Sequence, residues 1–156
     1  DNTVEELKHI HAVYDLAKEQ GDITDSSYEA LEKRWKDENA ERSEKVEKGE
    51  VIYGLKEYTF QLYLDYEIST LKEKYCNDTN REGMKLTEDE IQEHYQSREW
   101  IFGDSDENAD LEMARIAVER ELREQKYDDM ITQRETGSQV AGNMENVNRI
   151  TLKNIQ

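Results

Sequence analysis

The stretch "DSDENADLE", Asp104 to Glu112, crowds five carboxylates into nine residues and raises the question of a bound cation. Laid on the twelve-residue calcium loop of an EF-hand, Asp104, Asp106, Asn108 and Asp110 take positions one, three, five and seven, where oxygen ligands belong. Position six would then be Ala109, where the sharp turn needs glycine. Position twelve would be Arg115, where a bidentate glutamate should close the shell. The competing reading is an acidic loop that caps the following helix and favours its positive end.

Other reactive side chains lack the company that chemistry needs. His9 and His11 are two apart, which puts them on different faces of a helix. His94 has Glu90 one turn back, an ordinary surface pairing. Cys76 has no second cysteine, which excludes an intrachain disulfide, and it lacks partners for a zinc site. With only Lys72 and Lys74 close in sequence, it reads as inert rather than nucleophilic. No glycine-rich phosphate loop, nucleophile elbow or zinc spacing occurs. Asn77-Asp78-Thr79 matches a glycosylation sequon, which matters only in a eukaryotic secretory setting. No catalytic residue, metal ligand or cofactor is assigned.

The more suggestive set is aromatic: Trp35, Tyr58, Tyr63, Tyr66, Trp100 and Phe102. These rings can simply be the core. Alternatively, some line a groove, where Tyr and Trp combine apolar contact with a polar handle at small entropic cost. Asn39 and Arg42 fall on an otherwise inward helical stripe. They could fix such a groove, hydrogen-bond a peptide backbone, or satisfy the end of a neighbouring helix. These eight residues are the candidate peptide-binding set.

The elements that must position them follow from composition and pattern. Of 156 residues, 35% are hydrophobic and 38% charged, so the apolar core is thin for the length. Proline is absent, as suits long unbroken helices. The net charge of −17 argues against nucleic acid or an anionic membrane as partner. No apolar run of about 18 residues is present to span a membrane. The chain begins "DNTVEEL" without Met, as a processed or trimmed product would.

A first helix is expected over Thr3–Gln20, stopped by Gly21. A second opens at Asp25 or Ser26, where Ser26 and Glu29 have capping-box spacing. Five acid-to-base pairs follow at i,i+4: Glu29–Lys33, Glu32–Lys36, Glu38–Arg42, Glu41–Lys45 and Glu44–Lys48. A third helix spans about Lys56 to Cys76 with two apolar stripes, which predicts packing on two sides. Thr87 and Glu90 form another capping box for an arm over about 85–98. A second arm runs over about 109–134, and the acidic loop joins the two. "GEVIYG" and "VNRITL" read as strands, so 49–53 is expected to pair with 147–152 as a small two-stranded sheet. The fold class is mainly α, a single domain over 1–156.

"LTEDEIQEHYQSREWIF" resembles the segment of SurA and PrsA type secretion foldases that leads from the helical chaperone domain into the parvulin isomerase domain. "RIAVERELREQKYDDMI" resembles the segment by which those chains return. "GDITDSSYEALEKRWKDENAER" and "GEVIYGLKEYTFQLYLDYEIS" look like the helices that come before. The resemblance covers about Gly21 to Leu152 and implies a SurA-N/trigger-factor-C-like, long-helix chaperone domain. It departs from the family where a parvulin (PPIC-type) unit of about 90 residues would sit. Here Arg98 to Asn108 holds only a loop. The resemblance therefore implies chaperone activity without prolyl isomerisation, and export, with a lipid anchor through an upstream cysteine in many Gram-positive relatives.

The function expected on this basis is ATP-independent binding of extended or unfolded polypeptide outside the cytoplasm. The alternative is a structural or adaptor protein of the cell envelope with a defined protein partner. Neither reading involves an enzyme, nucleic acid or insertion of this segment into a membrane; a homodimer is left open.

Overall fold

The computed structural model describes residues 2–137. There the chain forms five helices: α1 (Asn2–Glu19), α2 (Tyr28–Glu47), α3 (Phe60–Cys76), α4 (Glu88–Gln96) and α5 (Leu111–Gly137). The class is mainly α, as the periodicity predicts. Internal contacts gather into two compact units. The first holds the described residues up to Leu71 together with the end of α5 from Gln133; the second is Lys72–Thr132.

In the first unit, α1 is buried around much of its girth through Leu7, Ile10, Val13, Tyr14 and Leu16. It stops where Gly21, at φ +79°, lets the amides of Gly21 and Asp22 turn back to the carbonyls of Lys18 and Ala17. The start of α2 lies one residue later than the capping-box spacing suggests. Ser27 is the N-cap, its hydroxyl accepting from the Ala30 amide, while Asp25 accepts from the Ser27 amide. Four of the five expected ion pairs form, at 2.6–3.4 Å. Lys33 instead reaches forward to Asp37 at 2.6 Å. Such pairs on a helix surface are individually weak, so their value is to keep a sparsely buried helix formed.

The third helix is shorter than expected. Thr59 caps it, accepting from the Leu62 amide at 3.2 Å, so the residues from Lys56 to Thr59 stay outside. Of its two apolar stripes, Leu64 and Leu71 are buried, whereas Leu62 and Tyr66 are exposed. Packing on two sides is therefore not observed.

The small sheet is corrected too. Residues 49–53 form no strand, and 147–152 lie outside the described residues. Side chains of α2 hold the 53–58 backbone instead, and Gly54, at φ +82°, turns the chain just after Tyr53.

In the second unit, α4 begins at the expected Thr87 cap, whose hydroxyl accepts from the Glu90 amide. Asp110 caps α5 by accepting from the Met113 amide at 2.9 Å. Ile91, Trp100, Ala114 and Val118 form the core between these helices, ringed by Leu86, Tyr95, Ala109, Leu111 and Ala117. Further along, Tyr75 and Tyr127 pack ring to ring at 5.4 Å.

Candidate functional site

Six of the eight candidate residues come together in the first unit. The reason is periodicity: Trp35, Asn39 and Arg42 recur at helical spacing on α2, facing the irregular chain that enters α3. Trp35 donates from Nε1 to the Tyr58 carbonyl at 2.7 Å. Asn39 brackets the same residue, donating from Nδ2 to its carbonyl at 2.9 Å and accepting its amide on Oδ1 at 2.8 Å. Arg42 donates from Nη1 to the carbonyls of Tyr53 and Leu55, both at 2.8 Å, and from Nε to Glu38. Its guanidinium also lies 4.7 Å from the centre of the Tyr58 ring. Tyr58 stacks on Tyr66 at 5.2 Å and meets Tyr63 edge-on at 6.1 Å.

Asn39 and Arg42 thus do hold an irregular backbone, and it is the chain's own. Tyr58 and Tyr63 are buried, Trp35 half-buried, and Tyr66 exposed. The cluster packs the approach to α3 onto α2.

Beneath it lies a constellation that the sequence reading missed. Glu67, buried on α3, accepts from the hydroxyls of Tyr14 (2.9 Å) and Tyr63 (2.6 Å). Arg34 closes on it with Nε and Nη2 at 2.8–3.2 Å. Burial alone would raise the Glu67 pKa. Hydrogen bonds from Arg34 and Tyr63 outweigh it, aided by the Arg34 charge and the Tyr14 bond, and hold the carboxyl below its usual range. Both tyrosines are pushed up, first by burial and then by the carboxylate they serve. Only the Tyr63–Glu67 spacing of i,i+4 was visible in sequence. Such a buried, paired and saturated carboxylate positions three helices; it has no free lone pair aimed at a substrate.

The other two candidates lie in the second unit. Trp100 is 2% exposed, and its polar atoms close the loop: its amide donates to Asn108 Oδ1 at 2.6 Å and its indole to the Tyr95 carbonyl at 2.9 Å. The Ala109 amide returns to the Trp100 carbonyl at 2.7 Å. Arg98 covers the indole face, 3.6 Å from the ring centre, and pairs with Glu121. Phe102 and its neighbour Ile101 stay exposed beside a cleft of about 180 Å³, whose walls include Ala117 and Arg120 of α5.

Met113 and Ile116 of α5 are bare, at 71% and 82% exposure. Their signal was present in the sequence, three apart and off the Ala114–Val118 stripe, but was absorbed into the reading of the arm as a whole.

The remaining reactive groups are engaged within the fold: His94 pairs with Glu121 at 2.8 Å rather than with Glu90, which takes Lys126. The Cys76 thiol, buried against the Arg123 carbonyl, is pushed up to about 11, chiefly by burial. Asp110 spends its carboxylate on the α5 cap, and no group of three His, Cys, Asp or Glu side chains among the described residues is arranged to hold a metal ion. No helix among them is long and apolar enough to cross a membrane.

No family model matches the chain. It is 30% identical over 131 residues to a chaperone for lacto-N-biosidase from Bifidobacterium longum subsp. longum, an alignment covering 84% of this chain and 47% of that protein. The chain therefore spans about half the length of the curated relative it matches. Two crystal structures of a GH136 lacto-N-biosidase from Eubacterium ramulus, native and selenomethionine, share the fold with TM-scores of 0.74 and 0.75 at 18% identity. The match takes in 91–92% of this chain and 29% of that one, so this helical fold recurs as less than a third of a longer polypeptide.

Proposed function

We propose that this chain is the helical body of a dedicated chaperone whose client is a glycoside hydrolase of the lacto-N-biosidase kind. It would act by contact alone, without ATP and without catalysing a reaction. The observation that carries this reading is the paired comparison. A relative named as a chaperone for lacto-N-biosidase aligns with 84% of the chain, and the same fold lies within the chain of a lacto-N-biosidase. A module found both beside and inside one kind of enzyme suits a lasting, specific partnership better than passing contact with many unfolded chains.

The geometry supports the narrower client range. A general holdase needs open aromatic surface. Of the six candidate rings Tyr58, Tyr63 and Trp100 are buried, Trp35 is half-buried and Tyr66 and Phe102 are exposed, while Asn39 and Arg42 are engaged with their own chain. The SurA/PrsA resemblance contributes the chaperone idea; the defined partner comes from the adaptor reading. Action outside the cytoplasm is part of the same proposal, and fractionation of the producing cell tests it.

Co-expression provides the functional test. The lacto-N-biosidase of Bifidobacterium longum is produced alone, with this chain, or with an unrelated acidic helical protein, and soluble hydrolase activity is measured. Recovery only with this chain is the expected result; equal yields in all three arms overturn the reading. Equal suppression of citrate synthase aggregation by this chain and by a general holdase would favour the broader client range instead.

A further inference from the structure

We propose that the bare apolar face of the second unit, formed by Ile101, Phe102, Met113 and Ile116, is the docking surface for the client hydrolase. The matching client surface would be apolar at its centre and rimmed with Lys and Arg. This rests on the client reading above and names the surface that performs it.

The face is pre-shaped. Met113 and Ile116 stand on α5 with Ala117 and Arg120, all within about 100° of one side at helical spacing. Ile101 and Phe102 follow directly from Trp100, whose amide, carbonyl and indole are all hydrogen-bonded within the unit. A surface already ordered by its own core loses little freedom on binding, which favours tight association. Ile116 at 82% exposure and Met113 at 71% cover little among the described residues. Exposed apolar groups gathered on one ordered face are the usual mark of a protein contact site.

Charge selects the occupant. From Arg98 to Arg120 the seven carboxylates of Glu99, Asp104, Asp106, Glu107, Asp110, Glu112 and Glu119 outnumber the three bases Arg98, Arg115 and Arg120. A second copy would bring the same acidic rim and an overall −17 to its twin, so like-charge repulsion opposes a dimer through this face. An anionic lipid surface is repelled for the same reason. A folded body with a basic rim is attracted. The recurrence of this fold as less than a third of a longer chain agrees with a partner larger than the module itself.

The test uses the full chain with Bifidobacterium longum lacto-N-biosidase as probe, reading soluble activity on co-expression and binding by biolayer interferometry. The double variant Met113→Gln, Ile116→Gln should lower recovered activity and affinity at least tenfold, with helicity and Tm unchanged because both side chains are already in water. The triple variant Asp104→Lys, Asp106→Lys, Glu107→Lys should weaken binding and flatten its salt dependence. Leu62→Gln, an exposed apolar site in the first unit, serves as control and should bind as wild type does.

If wild type rescues the hydrolase and the Gln pair rescues equally well, the docking surface is wrong while the client reading stands. If wild type itself fails to rescue, the client reading falls and takes the surface with it. Sedimentation showing a wild-type dimer that the Gln pair dissociates would assign this face to self-association and overturn the proposal.

Discussion

Glu67 shows how much depends on one side chain. It is the only charged group among the buried residues described, and it ties α1, α2 and α3 through Tyr14, Arg34 and Tyr63. Glu67→Ala would leave Arg34 half-buried and two hydroxyls without their acceptor. A loss toward the lower end of about 3–5 kcal/mol is expected, because Arg34 keeps some access to water. Denaturant unfolding measures it. Because folding depresses the Glu67 pKa, its contribution is fully present above the unfolded value of about 4.3 and is lost as pH falls through the folded value. Between pH 6 and pH 3, Tm should therefore fall more steeply in wild type than in Glu67→Gln. Cys76 gives a second residue-scale expectation. With its thiol pushed up to about 11 and covered, it should resist Ellman's reagent at pH 8 in the folded protein and react within seconds in denaturant.

At the scale of elements, the approach to α3 depends on α2 more than on its own propensity. Asn39→Ala removes both its bonds to Tyr58; the carbonyl keeps its bond from Trp35 but the amide is left without an acceptor, at a cost of about 1–3 kcal/mol by thermal or urea unfolding. Asn39→Asp should recover only the bond from the Tyr58 amide. In the second unit, Trp100→Ala empties the middle of the α4–α5 core and opens the loop it pins. About 3–5 kcal/mol is expected, with hydrogen exchange rising first at the Ala109 amide. Capping signals were the most legible part of the sequence. Gly21 and Thr87 act as their spacing predicts, since capping is decided by a few adjacent residues. The approach to α3 was less legible. Its backbone bonds go to side chains 11–23 residues back in the chain, and no local pattern announces such partners. "GEVIYG" has strand composition, but composition specifies an extended backbone and not what that backbone pairs with.

For the whole molecule, the charge of −17 governs approach rather than fold. Association with a basic-rimmed client should slow about tenfold or more between 20 and 200 mM salt, measured by stopped flow, as screening shortens the reach of that charge. A double-stranded oligonucleotide should not be retarded by the chain at any salt concentration. The helical class and the acidic character were readable from the residues alone. They depend on composition and on contacts within a few positions, which a linear sequence displays. What the tertiary structure decided was which aromatics are sealed and which are bare. Tyr58 and Trp100 are core, whereas Met113 and Ile116, plain helix residues by sequence, stand in water. Burial is a property of what packs opposite a side chain, and that neighbour is chosen only when distant segments meet.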